Sequence, residues 1–151
     1  MRPVFAALAV LALAACSPSE EPAQPDTPSE QPAPVLGGVD LAQPVRALGT
    51  EPFWSLELTG TEMVYTAAEP PEQRAPQPDP AVQGTTATYQ AETADGTDLR
   101  VTLIATECSD GMSDRTYPLT AMVKVGDEDL TGCAASTAAV MSTGESGPVV
   151  Q

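Results

Sequence analysis

Residues Cys108 to Asp114 read Cys-Ser-Asp-Gly-Met-Ser-Asp, placing a thiol, two carboxylates and two hydroxyls within one short stretch. Three chemistries fit such a string: a metal site, a catalytic loop, or a turn pinned by a disulfide. The chain contains no histidine. That removes the side chain on which most zinc, copper and iron sites and every Ser-His-Asp triad depend. Asp110 and Asp114 remain as carboxylates for a divalent cation, but the EF-hand loop pattern is absent. A Ser-Lys arrangement would have to use Lys124, the only lysine, with Ser55, Ser109 or Ser113, and no spacing favours it. With 21 acidic residues in the chain, some carboxylates will lie close by chance, so proximity alone does not mark a glycosidase pair. The expectation is a protein without a catalytic residue, a resident metal or a cofactor, in which residues 108–114 form a turn.

The fate of the thiol depends on the compartment. Arg2 supplies a short positive region, and Val4 to Ala12 form an apolar run too short to span a bilayer as a helix. Leu13-Ala14-Ala15-Cys16 follows. These residues resemble a bacterial lipobox: small residues admit the backbone to a peptidase, and the thiol takes up lipid through a thioether. The resemblance implies a lipoprotein signal peptide over residues 1–15 and palmitate-type lipidation at Cys16. Several acyl chains then anchor the protein stably, each buried methylene contributing about 0.8 kcal/mol. Ser17 rather than aspartate follows the cysteine, which resembles an outer-membrane address facing the periplasm. In that oxidising compartment the remaining pair, Cys108 and Cys133, reads as a disulfide. Closing a loop of about 25 residues is worth roughly 3–4 kcal/mol by the chain-entropy argument.

The elements that must position these residues follow from patterning. Residues 16–44 are rich in Pro, Ser, Glu and Asp and lack aromatics, so they read as a lipidated, disordered tether. Residues 45–134 alternate with period two. Trp54, Leu56 and Leu58 share one face; so do Leu99, Val101 and Leu103, and Tyr117, Leu119, Ala121, Val123 and Val125. Turn signals recur between these runs. The pattern predicts an all-β domain of about six or seven antiparallel strands, a small barrel or strongly curved sheet with one disulfide. The Pro-rich stretch from Glu69 to Gly84 is expected to be a long loop with no structure of its own, and residues 135–151 a disordered tail.

Two stretches carry a family resemblance. Arg-Ala-Leu-Gly-Thr-Glu-Pro-Phe-Trp (46–54) and Cys-Ser-Asp-Gly-Met-Ser-Asp-Arg-Thr-Tyr-Pro (108–118), with Gly132-Cys133, resemble a group of bacterial envelope lipoproteins of unassigned activity. Their hallmarks are G-x-E-P-F-W and C-x-D-x-M-S-D-x-x-Y-P closed by G-C. The resemblance implies a periplasm-facing, disulfide-bonded β domain. In size, location and architecture it is similar to the small β domains of the META type and of c-type lysozyme inhibitors. The residues singled out as ligand or partner contacts are Glu51, Phe53, Trp54, Asp110, Met112, Ser113, Asp114, Arg115 and Tyr117. Patterning places Trp54 and Tyr117 in a core. Arg46 and Arg115 stand out because cations are scarce. They are expected to neutralise acids such as Glu51 and Asp114, with anion binding as the alternative.

The formal net charge of −15 disfavours nucleic acid and direct adsorption to an anionic bilayer. Membrane attachment then rests on the lipid anchor, and a basic protein is the favoured macromolecular partner. The expected function is a non-enzymatic, lipid-anchored envelope protein. Its β domain would bind a protein or small ligand or support envelope integrity. The alternatives are inhibition of a basic c-type lysozyme and divalent-cation binding through residues 108–118.

Overall fold

Alternating apolar and polar side chains give each long strand one face to bury and one to expose, and the chain uses this to wrap one sheet around a core. The computed structural model describes residues 34–142, 144 and 146–149. The expectations for the signal peptide, for lipidation at Cys16 and for the tether as far as residue 33 lie outside the described residues.

In chain order the elements begin with a short hairpin, β1 (Val35–Leu36) and β2 (Val39–Asp40), followed by β3 (Val45–Thr50), β4 (Phe53–Leu58) and β5 (Glu62–Ala67). Next come β6 (Gln73–Pro76), β7 (Ala81–Gln83), β8 (Thr86–Glu92) and β9 (Asp98–Ile104). The chain continues through β10 (Cys108–Ser109), β11 (Asp114–Tyr117), β12 (Leu119–Val125), β13 (Glu128–Ser136), α1 (Thr137–Ser142) and β14 (Ser146–Pro148). The main sheet has nine strands in the order β6-β5-β4-β3-β13-β12-β9-β8-β7, with every neighbouring pair antiparallel. It curls into a half-barrel, bringing β6 at one edge against β8 beside the other. Trp54, Leu56, Leu58, Tyr65, Tyr89, Leu99, Val101, Leu103, Leu119 and Val123 fill its concave side. The protein is thus all-β, a curled antiparallel half-barrel sheet with one disulfide, Cys108–Cys133.

Four local expectations differ from the structure. The Pro-rich stretch supplies both edge strands, β6 and β7, which raises the strand count to nine. Proline is tolerated there because an edge strand leaves one side of its backbone unpaired. The ordered domain also begins before Val45. Gly37 and Gly38, with φ of 55° and 83°, make the tight turn between β1 and β2, and Leu36, Val39 and Leu41 are buried in the main core.

The third difference is at the C-terminal end. Residues 135–149 are not a disordered tail where they are described: β13 runs to Ser136, α1 follows, and β14 pairs in parallel with β11. The fourth concerns Tyr117, which does not share a face with Leu119. The chain breaks at Pro118 between β11 and β12, so Leu119 enters the main core while Tyr117 joins a second cluster. That cluster contains Cys133, Ala135, Ala139, Val140 and Val149. It sits on the outer face of the half-barrel, where β10, β11, β14 and α1 cover the middle of the main sheet.

Candidate functional site

The outer cover is held by the disulfide. Cys108 in β10 is bonded to Cys133 in β13, with Cα atoms 5.5 Å apart, so the β10–β11 hairpin lies against the main sheet. Its tip is organised by Asp110. One carboxylate oxygen accepts the backbone N–H groups of Met112 (3.0 Å) and Ser113 (2.8 Å). The other accepts the Ser113 hydroxyl (2.7 Å) and the Tyr117 hydroxyl (3.3 Å). Partial burial pushes the Asp110 pKa up, but these four donors together outweigh it and hold the carboxyl below its ordinary range. Burial in turn raises the Tyr117 pKa, partly offset by Arg115. Thr50 donates to the Asp110 carbonyl at 2.9 Å, tying the hairpin tip to the β3–β4 turn. The Cys-Ser-Asp-Gly-Met-Ser-Asp string is therefore a stapled turn, with the Asp110 carboxylate spent on the loop itself and Asp114 exposed. Among the described residues, no group of three His, Cys, Asp or Glu side chains could hold a metal ion.

Trp54 is buried, as its pattern predicts. Its ring packs beside Tyr65, centroids 6.5 Å apart, and it lies across two glycines. A Cβ on Gly49 would fall on the indole, and one on Gly132 would meet both the indole and the Leu48 backbone. Gly49 and Gly132 thus serve one purpose, which is to let Trp54 reach across β3 to β13.

Beside this ring a groove of about 560 Å³ runs along the outer face of β3, β4 and β5. Arg115 of β11 and Val140 and Met141 of α1 form its far wall; Arg46, Leu48 and Phe53 line the sheet side. Phe53 is 67% exposed and Met141 71%. Among the described residues, the lining contains two of the chain's six cations and no acid. Arg46 donates only a long bond, 3.5 Å, to the Ser55 hydroxyl. Strand register puts Glu57 opposite Arg46, but the Glu57 carboxylate accepts from Thr137 at 3.3 Å. Arg115 donates from Nη2 to the Val140 carbonyl at 3.0 Å and lies over the Tyr117 ring, 5.3 Å from its centroid. Its Nε, withdrawn from solvent, has no hydrogen-bond partner.

Among the described residues, the ion pairs are Arg74 with Glu62 and Glu72, and Lys124 with Asp129. The expectation that Arg46 and Arg115 neutralise Glu51 or Asp114 is therefore overturned: both acids are exposed and neither pairs. Of the singled-out contacts, Phe53, Trp54 and Arg115 line the groove. Glu51, Asp110 and Met112 surround a neighbouring cleft of about 330 Å³ under the hairpin tip. Ser113 serves the Asp110 turn, and Tyr117 is buried beneath Arg115. The sequence reading missed Val140 and Met141, because the segment that carries them was assigned to a tail.

Comparison with protein-family models, with curated proteins and with solved structures finds no match to this chain.

Proposed function

We propose that this chain is a non-enzymatic, lipid-anchored protein of the bacterial envelope whose half-barrel binds a small ligand in the Arg46–Arg115 groove. The lipobox-like Leu13 to Cys16 and the resemblance of residues 46–54 and 108–134 to envelope lipoproteins support the location, probe for which is palmitate incorporation lost on Cys16→Ser. One observation carries the binding site: two arginines with no ionic partner among the described residues line an open groove that also exposes Phe53 and Met141. Open apolar walls with a few convergent polar groups are the usual form of a small-molecule site. The reading as a binder rather than a catalyst rests on the lining. Thr50, Ser55 and Thr66 offer hydroxyls there, and among the described residues no carboxylate, imidazole or amine lines the groove to deprotonate them.

The test is a fragment screen by nuclear magnetic resonance on the full chain carrying Cys16→Ser, using neutral, cationic and anionic fragments. Binders should shift the Trp54 indole N–H, the Met141 methyl and the Phe53 ring together. A screen with no binder in the groove, or with binders gathered elsewhere, would refute the proposal.

A further inference from the structure

We infer that the ligand is a free acidic amphiphile: one carboxylate or phosphate head held by Arg46 and Arg115, and a single apolar chain lying along Leu48, Phe53 and Met141. This rests on the groove being the binding site and names the chemistry that fits it.

Three observations lead there. The first is charge. The chain has a net charge of −15, yet among the described residues the groove lining holds two guanidinium groups and no acid. The two guanidiniums face the groove from opposite sides, Arg115 on the far wall and Arg46 on the sheet, so an anion between them would be attracted by both. The second is an unmet donor. Arg115 uses Nη2 on Val140, while its buried Nε–H has no acceptor. Because that Nε is withdrawn from solvent, it marks an unmet donor cost at the groove wall rather than an open docking edge. The third is the wall chemistry. Phe53 and Met141 expose most of their apolar surface beside these cations, which a bare inorganic anion would leave in water.

The same charge limits the class. A polyanion such as nucleic acid, or an anionic bilayer surface, meets the repulsion of the whole acidic domain. A single-headed acid carries one charge through that field, so its repulsion is smallest and the two nearby arginines can outweigh it. A neutral amphiphile would leave the guanidinium donors unmatched, and a cationic one would be repelled by them.

The experiment titrates the full Cys16→Ser chain with octanoate, octyl phosphate, inorganic phosphate, octyl glucoside and octyltrimethylammonium, each amphiphile below its micelle concentration, and separately with phosphatidylglycerol vesicles. Heat and Trp54 fluorescence are recorded. Octanoate and octyl phosphate should bind with one-to-one stoichiometry and inorganic phosphate much more weakly. Arg46→Gln should weaken both acids about tenfold, the usual scale for one charge-assisted bond, and Phe53→Ala should weaken octanoate but not inorganic phosphate. Arg46 makes only the long Ser55 bond, so its variant tests the idea even where Arg115→Gln disturbs the packing on Tyr117. If octyl glucoside or octyltrimethylammonium binds the groove as well as the acids do, the acidic head is wrong while the groove remains a binding site. If none of the probes binds there, both readings fall. If binding is seen only with phosphatidylglycerol vesicles, the occupant is a bilayer surface and the inference is overturned.

Discussion

The Trp54 indole occupies the space over Gly132, where a methyl group would come within 2.8 Å of ring carbon Cζ2 and collide with the Leu48 backbone carbonyl. Backbone cannot yield as a side-chain tip can, so the smallest substitution here is already too large. Gly132→Ala should lower stability by about 2 kcal/mol or more, at the upper end of overpacking costs. Urea unfolding followed by Trp54 emission measures it. Gly49→Ala should act in the same direction, since its methyl meets the ring itself. A neutral Gly132→Ala would mean that β3 and β13 are not this close.

Joining Cys108 to Cys133 across a sequence separation of 25 constrains the unfolded chain and pins the outer cover. Replacing both cysteines with serine should cost roughly 3–4 kcal/mol. Hydrogen exchange should rise first across residues 108–117, which the disulfide holds to β13. A variant whose unfolding midpoint matches that of the oxidised protein would show that the bond contributes nothing.

Asp110 sets a pH dependence of known sign. Its carboxyl is held below the ordinary range in the folded state, so the anion's contribution is fully present above the unfolded carboxylate value of about 4. It is lost as pH falls through the lower, folded value. Melting temperatures of the wild type and Asp110→Asn should therefore differ most at neutral pH and converge in acid. Asp95, whose pKa is also lowered by bonds from Thr93 and Thr97, is untouched in both proteins and cancels in the difference. A gap that stays constant down to strongly acid pH would contradict the assignment.

Tyr89 presents the opposite case. Its hydroxyl is buried without a partner in the half-barrel core, and burial pushes its pKa up to about 12. Removing an unpaired buried hydroxyl while keeping the ring should be neutral or mildly stabilising, within about 1 kcal/mol. Calorimetry on Tyr89→Phe decides this, and a clear loss of stability would reveal an acceptor or bound water on that oxygen.

The long strands were legible because their side chains alternate: Leu99, Val101 and Leu103, or Trp54, Leu56 and Leu58, declare one buried face. The disulfide was legible because only two cysteines remain once Cys16 is set aside. The edge strands β6 and β7 were not, since Pro76 and Arg74 argue against a strand until a neighbour supplies the missing half of the ladder. The C-terminal cover was hidden for a related reason. Ala135, Ala139 and Val140 carry little apolar surface each, and they are buried only because Tyr117 and Leu48 lie opposite. Arg115 was singled out as a contact from the sequence, but its wall partners were not, because the groove is assembled from segments far apart along the chain.

That assembly separates the fold from the site. Every pairing of the main sheet is complete by Ser136, whereas Val140 and Met141, which finish the groove, come later. A chain shortened after Ser136 would keep its half-barrel ladder and lose a wall of its site. A reporter inserted directly after Ser142 would sit beside the ligand's place.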